Sequence, residues 1–128
     1  MSMGSLEDMG TVWIRHLRLA LLRALASPEE CPGHRAHESL LRDLVNAVSI
    51  AADREQVRAE LLWLHEKGLV QVDTAAGALT ATITDDGLET AAGRKVVPGV
   101  KQPNMAASLK SVADLLAESL KPTKPRRG

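Results

Sequence analysis

Two arginines and a glutamine cluster in one short stretch of the chain, at a spacing that suits contact with a DNA duplex. Arg54 and Arg58 are four residues apart, so on a helix they share one face. A guanidinium there can grip a guanine edge or neutralise a phosphate, and Gln56 can add an amide contact. The alternative is that the arginines pair with Glu55 or Glu60 and belong to an ordinary solvent-exposed helix face. Composition does not decide between these interpretations.

A second group of side chains has the residue types of a metal site. Cys31, His34 and His37 follow one another at intervals of three, beside Glu38. However, Pro32-Gly33 interrupts any helix there, a fourth ligand is not evident, and structural zinc usually takes four ligands with more thiolate. We therefore expect no metal and no other cofactor.

Catalytic signatures do not accompany these groups. The sequence contains no glycine-rich phosphate loop, no nucleophile motif and no carboxylate pair joined to a recognisable base. The apolar residues, 45% of the chain, are mainly Ala, Leu and Val, with Trp13 and Trp63 as the aromatic residues. Such a small aliphatic core leaves little room for a buried pocket, so we do not expect an enzyme.

Charge is distributed unevenly along the chain. Residues 1–93 contain 8 Lys or Arg against 14 Asp or Glu, whereas residues 94–128 contain 8 against 2. A basic C-terminal end can make sequence-independent contacts with phosphates, or with an acidic protein, or it can lie against the acidic part of its own chain. The candidate contacts in this tail are Lys121, Lys124, Arg126 and Arg127.

Apolar periodicity predicts three helices that carry these side chains. The first runs from Val12 to Leu25 and ends before Ser27-Pro28, and the second runs from Glu38 to about Ser49. A short connection leads to the third helix, residues 54–67. Asp53 and Gln56 have the spacing of a capping box at its start, and Gly68 follows its end.

A β-hairpin is predicted after the third helix. Leu69 to Val72 form a strand, Thr74 to Gly77 a turn, and Leu79 to Thr84 a return strand. Thr84 or Asp85 can then cap a short helix over residues 87–92. Since no Lys or Arg occurs between residues 68 and 93, we do not expect this hairpin to hold phosphate.

The predicted fold is mainly α with a small β-hairpin: a winged helix-turn-helix plus a C-terminal amphipathic helix. The domain covers residues 11–93, between a disordered segment 1–10 and a linker 94–104. The amphipathic helix covers residues 105–120, and the tail 121–128 is disordered. We expect a homodimer that uses helix 105–120 together with Val12 to Leu25. The alternative is that segment 105–120 folds back on its own domain or is only transiently helical.

The stretches ESLLRDL, DREQVRAELLWLHEKGLVQV and TITDDGLETAAGRKVVPGVKQP resemble the small winged-helix proteins of Mu-like phages and prophages, often labelled ArsR-like regulators. The most specific segments are Leu62–Val70 and Ala92–Lys101. The resemblance implies a phage-encoded protein that binds double-stranded DNA as a transcriptional regulator, without metal sensing.

The alternative function is a protein–protein interaction module in phage assembly or DNA packaging, without sequence-specific DNA binding. Under either function a phage protein is a possible partner. No stretch reaches the roughly 18 apolar residues of a membrane span, and residues 1–10 lack a secretory signal. We therefore expect the protein in the cytoplasm of the bacterial host, with no membrane partner.

Overall fold

The computed structural model describes residues 2–103, with side chains from residue 10 onward. The predicted helix 105–120 and the basic tail 121–128 lie outside the described residues. Described helices and strands follow the order that the sequence predicts, with one added strand. None of these helices combines the length and apolarity needed to cross a membrane.

Helix α1 spans Ser2–Ala26 and is longer than predicted. It ends where expected, before Ser27-Pro28, but it begins at Ser2 rather than at Val12, in the segment 1–10 predicted as disordered. The physical reason is that a helix already nucleated by packing extends at little cost, and the segment contains no proline. A glycine such as Gly10 costs only about 1 kcal/mol inside a helix. Four leucines of α1 are fully buried: Leu17, Leu21, Leu22 and Leu25.

Helices α2, Glu38–Ala47, and α3, Arg54–Glu66, begin at side-chain caps. At α3 the capping box is confirmed in both directions: the backbone N–H of Gln56 donates to Asp53 Oδ1 at 2.8 Å, and the backbone N–H of Asp53 donates to Gln56 Oε1 at 3.1 Å. At α2 the cap is His37, whose Nδ1 accepts from the Ser39 N–H at 3.1 Å. The predicted glycine stop of α3 is also confirmed, because Gly68 has a φ of 76°.

Asn46 closes the connection between α2 and α3. Its Nδ2 donates to the carbonyls of Arg42 at 2.8 Å and Ala52 at 3.2 Å, while its Oδ1 accepts from the Ala52 N–H at 3.2 Å. One amide side chain therefore satisfies backbone groups on both sides of the turn. The turn also contains Ser49 at a φ of 69°.

The hairpin is confirmed and belongs to a three-stranded antiparallel sheet. Strand β1 is Arg35–His37, β2 is Val70–Ala75 and β3 is Ala78–Ile83, in the order β1-β3-β2. The turn at the tip consists of Ala76 and Gly77, both with positive φ, which suits a two-residue hairpin. The sequence does not predict β1, because three residues are too few to show an alternating pattern.

Helix α4, Asp85–Ala91, is capped by Thr84, whose Oγ1 accepts from the Gly87 N–H at 3.0 Å and donates to the Gly68 carbonyl at 2.7 Å. A Cβ at Gly87 would collide with the carbonyl of Leu69 and the side chain of Ile83. The helix can therefore approach the sheet closely only because this residue lacks a side chain.

Residues 94–103, here called the C-terminal strap, pack on the domain, although the sequence predicts an extended linker over 94–104. The Gly99 carbonyl accepts from Arg18 Nη1 at 2.9 Å, and the Lys101 N–H donates to the Arg15 carbonyl at 3.2 Å. Val100 is 7% exposed. The strap is held by contacts with residues more than 80 positions earlier in the chain, which local periodicity cannot reveal.

Candidate interaction surface on the third helix

Helix α3 presents opposite faces of different chemistry. Val57, Leu61 and Leu64 are fully buried in the core. The opposite face is exposed and carries two carboxylates around an apolar side chain that is itself 45% exposed, that of Leu62. Because residues three and four apart lie on one helix face, these side chains form one line. We call this line the outward stripe of α3; it consists of Glu55, Ala59, Leu62 and Glu66.

Arg58, a predicted DNA contact, is engaged with a buried carboxylate. Its Nε donates to Glu38 Oε1 at 2.9 Å and its Nη2 to Glu38 Oε2 at 2.6 Å. The same Nη2 donates to the Gly77 carbonyl at the hairpin tip, at 3.1 Å. Glu38 Oε2 also accepts from the Leu79 N–H at 3.2 Å, and the residue is only 1% exposed. Helix α2, helix α3 and the hairpin therefore meet at this ion pair.

The ion pair shifts the ionisation of both partners. The pKa of Glu38 lies below its ordinary value, chiefly because Arg58 donates hydrogen bonds to the carboxylate; burial acts in the opposite direction. Hydrogen bonding to Glu38 raises the pKa of Arg58. The carboxylate is thus stabilised in its charged form although it is buried, as expected for a bidentate arginine pair.

Neither acidic neighbour considered in the sequence analysis is the hydrogen-bonding partner of Arg58. Glu55 lies on the outward stripe, and Glu60 instead accepts from Arg18 Nε at 2.6 Å. The partner Glu38 is 20 residues earlier in the sequence. A glutamate at the first position of an amphipathic helix gives no sequence signal that it is buried. The contact between Arg58 and Glu38 is therefore evident only in the structure.

Arg54 and Gln56 remain in the exposed first turn of α3. Arg54 contributes to lowering the pKa of Glu38 through its positive charge. Within residues 10–103 its guanidinium makes neither a hydrogen bond nor a salt bridge. Gln56 uses its side-chain carbonyl in the capping box, which leaves its amide nitrogen for a ligand. The structure therefore separates the three predicted contacts into one engaged arginine, one exposed arginine and a capping glutamine.

The hairpin adds no cation to this surface. Gln71 and Asp73 are exposed on β2, and the tip residues from Ala75 to Gly77 are exposed as well. Arg58 reaches the tip, but its charge is compensated there by Glu38. The remaining predicted contacts Lys121, Lys124, Arg126 and Arg127 lie outside the described residues.

The side chains that resemble metal ligands in sequence are each placed differently. His34 Nδ1 lies 2.9 Å from the Leu25 carbonyl, His37 caps α2 and Glu38 pairs with Arg58. Cys31 is buried, and burial, followed by the charge of Glu30, raises the pKa of its thiol. Across the described part of the chain, no three His, Cys, Asp or Glu side chains are arranged to hold a metal ion.

A second arginine cluster lies where α1, α3 and the strap meet. Arg18 lies over the ring of Trp63, with its Cζ 3.6 Å from the ring centroid, and it forms the salt bridge with Glu60. A Cβ at Gly99 would stand 2.7 Å from the same ring. Trp63 is evident in the sequence as one of two aromatic residues, but the arginine stacked on it is evident only in the structure. The cluster attaches the strap and is therefore part of the scaffold of α3.

The described residues define a mainly helical domain with a small antiparallel sheet, compatible with a winged helix-turn-helix. Over 90 residues the chain is 38% identical to the uncharacterized protein gp26 of Escherichia phage Mu, a match that covers 70% of this chain and 90% of that protein. The chain therefore belongs to the family of this Mu protein. No family model matches the chain, and no solved structure matches it. The predicted resemblance to proteins of Mu-like phages is confirmed.

Proposed function

We propose that this domain is a protein-binding module of a Mu-like phage that acts in assembly or DNA packaging, and that the outward stripe of α3 is its contact surface. The observation that carries this proposal is the division of α3: Arg58 is bound to Glu38, while Leu62 is exposed between acidic residues. An exposed leucine on a helix face can be buried against a partner's apolar surface.

Electrostatics supports the same assignment. A duplex in contact with the middle of α3 would meet Glu55 and Glu66, and the adjacent hairpin would add Asp73. Most of the affinity of proteins for duplex DNA comes from neutralising phosphates, with release of counterions. Carboxylates at these positions would repel the backbone, whereas they would complement a partner with basic residues around an apolar centre.

Affinity isolation from infected cells, with the full-length chain as bait, tests the proposal. Leu62→Lys and Glu66→Lys together should abolish recovery of a specific phage protein, because they place two positive charges in the centre of the contact. Leu40→Lys is the matched control, since Leu40 is 40% exposed on α2 and lies outside the stripe. Recovery of no phage protein, or equal recovery by both variants, would count against a protein-binding stripe.

Transcriptional regulation through duplex DNA is the second candidate, and the position of Arg54 favours it. This arginine is exposed in the first turn of α3, where the helix dipole also favours an anion. A phosphate or guanine contact by Arg54, supplemented by Lys121, Lys124, Arg126 and Arg127, would bind DNA without using the hairpin.

A salt series with fluorescent duplexes from the phage genome separates the two candidates. For a DNA-binding regulator, one duplex should bind much more tightly than the others, and Arg54→Ala should reduce the slope of log affinity against log salt by about 1. For a protein-binding module, binding should be weak, equal for every duplex and insensitive to Arg54→Ala. Neighbouring genes for head assembly favour the module, whereas neighbours in a control region favour the regulator.

A further inference from the structure

Strand β2 forms an edge of the sheet, because β3 lies between it and β1. In an antiparallel strand, alternate residues direct their backbone N–H and carbonyl groups to opposite sides. In the described part of the chain, no strand lies on the outer side of β2. Its outward backbone groups are therefore available to a further strand.

The bonds around the hairpin identify the residues of β2 that face outward. The tip is a two-residue turn, so Ala75 and Ala78, which close it, exchange hydrogen bonds, and so does every second pair along the ladder. The bond from the Thr84 N–H to the Leu69 carbonyl, at 3.1 Å, continues this alternation beyond the strands. The other residues of β2 direct their backbone groups outward: Val70, Val72 and Thr74.

Two of these outward-facing residues can accept a strand. At the base of the hairpin α3 covers the edge, because His65 Nδ1 lies 3.3 Å from the Val70 carbonyl. Among residues 10–103, the backbone groups of Val72 and Thr74 have no hydrogen-bond partner. Thr74 is exposed, and Val72 is half-buried. We call the outward N–H and carbonyl groups of these two residues the free edge of β2.

Leu62 of the outward stripe lies beside the free edge. Arg58 contacts the hairpin at its tip, through the Gly77 carbonyl. His65 contacts the hairpin at its base, at Val70. Leu62 lies between these two contacts along α3, turned by about 40° from Arg58 and by about 60° from His65 around the helix axis. Its exposed side chain therefore lies on the side of α3 next to the hairpin, at the level of the free edge.

Carboxylates dominate the charge around the free edge. Asp73, between its two residues, has an exposed side chain, and it forms no salt bridge within residues 10–103. Glu66 is exposed one turn beyond Leu62 on α3. No Lys or Arg occurs between residues 68 and 93. A basic side chain opposite Asp73 on an added strand would complement this charge.

The cationic side chains of α3 and of the residue after it are directed elsewhere. Arg58 is already paired with a buried carboxylate. Lys67 is turned by roughly 140° from Leu62 around the helix axis and lies over a tryptophan ring. Arg54 lies about two turns before Leu62, at the start of α3. His65 is directed to a backbone carbonyl at the base of the hairpin.

A second copy of this chain fits the free edge poorly. The antiparallel register that pairs both free residues places Val72 opposite Thr74 of the second copy, so that Asp73 lies directly opposite its own counterpart. Like charges in this position are destabilising. A register centred on Val72 needs the position of Val70, which α3 covers, and one centred on Thr74 pairs only one free residue. The edge therefore favours a strand of different sequence.

We propose that the free edge of β2 binds an extended segment of the partner protein as a fourth strand, in which basic and apolar side chains alternate. A basic residue of this segment lies opposite Asp73 on the open face of the sheet. Its apolar neighbours point to the other face, toward Leu62. The inference rests on the proposed function, because it specifies the conformation and chemistry of the partner at the same surface. Strand addition of this kind gains affinity from main-chain hydrogen bonds and specificity from alternate side chains.

Titration of the ¹⁵N-labelled full-length chain with a short peptide of alternating valine and lysine tests strand addition without the natural partner. The amide signals of Val72 and Thr74 should shift most, and their hydrogen exchange should slow about tenfold in excess peptide. A peptide of the same composition, with its valines and lysines in separate blocks, is the matched control and should not slow this exchange. Equal effects of the two peptides, or shifts confined to other residues, would overturn the proposal.

Two variants at one position separate the backbone contact from the side chain. Thr74→Pro removes the outward N–H and no bond to β3, and edge strands tolerate proline. Thr74→Ala removes the side chain and keeps the N–H. Peptide affinity should fall about tenfold in Thr74→Pro and less than about twofold in Thr74→Ala, in chains whose ¹⁵N spectra show that they are folded. Equal affinities would contradict pairing at this edge.

A charge reversal tests the side-chain preference without proline. Asp73→Lys should bind a peptide of alternating valine and glutamate more tightly than the valine–lysine peptide, the reverse of the parent chain. Asp85→Lys makes the same change of net charge at an exposed residue of α4 and should keep the parent preference. If both variants reversed the preference, the peptides would be responding to net charge alone, against the proposal.

Affinity isolation from infected cells connects the free edge with the partner. The parent chain and Thr74→Ala should recover the phage protein, and Thr74→Pro should not. Recovery by Thr74→Pro as well would overturn the edge as the contact while leaving the outward stripe in place. Failure of the parent chain would contradict the proposed function instead, and the peptide titration would then decide for or against the edge by itself.

Discussion

Arg58 holds both carboxylate oxygens of Glu38, at 2.9 Å and 2.6 Å, and so joins the start of α2 to the middle of α3. The bonds from Glu38 to the Leu79 N–H and from Arg58 to the Gly77 carbonyl extend this junction to the hairpin. An arginine that the sequence offers as a DNA contact thus fixes the relative position of three elements.

Replacing Glu38 by Ala should lower the free energy of unfolding by about 2 kcal/mol, because the Leu79 N–H and the Arg58 guanidinium both lose their acceptor. Urea denaturation followed by circular dichroism measures this change. Glu55→Ala is the control, since Glu55 is exposed on α3, and it should stay within about 0.5 kcal/mol of the parent chain. A loss for Glu38→Ala as small as that expected for Glu55→Ala would contradict a stabilising role of the junction.

Lowering the pH should reduce the stability of the folded domain by protonating the Glu38 carboxylate. The folded-state pKa of Glu38 is lower than its ordinary value of 4.5. The contribution of this carboxylate to the free energy of unfolding is therefore complete above pH 4.5 and is lost as the pH falls through the folded-state pKa. Thermal unfolding between pH 6 and pH 3 should therefore show a falling midpoint, and Glu38→Gln should show a flatter decline. Glu89→Gln, which removes an exposed carboxylate paired with Arg94, should leave the slope nearly unchanged. A parallel decline in the parent chain and Glu38→Gln would contradict this assignment.

Two adjacent leucines of α3 should respond differently to truncation. Leu61 is fully buried, so Leu61→Ala should cost about 2 to 5 kcal/mol by loss of apolar contact and creation of a cavity. Leu62 is 45% exposed, so Leu62→Ala should change stability by less than about 0.5 kcal/mol. Chemical denaturation of the pair provides the comparison, and a large loss for Leu62→Ala would mean that the outward stripe is part of the core.

Gly99 should be intolerant of a side chain for two reasons. It has a φ of 98°, and a Cβ there would stand 2.7 Å from the ring of Trp63. We expect Gly99→Ala to release the strap, with faster hydrogen exchange at Lys101 and a loss of about 1 to 3 kcal/mol. Gly33→Ala has a similar backbone conformation, with a φ of 72°, but open space around the new Cβ. If Gly33→Ala loosened the strap to the same extent, the collision with Trp63 would not be the cause.

Most of the fold could be predicted because its signals are local. The capping box of Asp53 and Gln56, the glycine stop at Gly68 and the cap at Thr84 depend on residues within a few positions of one another. Strand β1 and the packing of the strap could not be predicted from local patterns, because both are stabilised by partners elsewhere in the chain. Arg35 pairs with Thr82 in the sheet, and Gly99 contacts Arg18.

The candidate site was less predictable than the fold for the same physical reason. The spacing of Arg54 and Arg58 places them on one helix face. It could not show that Glu38 is buried and forms hydrogen bonds with Arg58. The exposure of Leu62 next to the buried Leu61 follows helical periodicity, so the outward stripe could have been identified from the sequence.

Asn46 has a consequence for the order in which the chain folds. Its three hydrogen bonds join Arg42 to Ala52 and so orient α2 against α3 through contacts spanning no more than six residues. Contacts this close in sequence cost little loop-closure entropy and form early. Formation of the sheet instead requires Arg35 to pair with Thr82, which is more than forty residues later in the sequence. We therefore expect the helical corner to be a nucleus on which the strands and the strap later assemble.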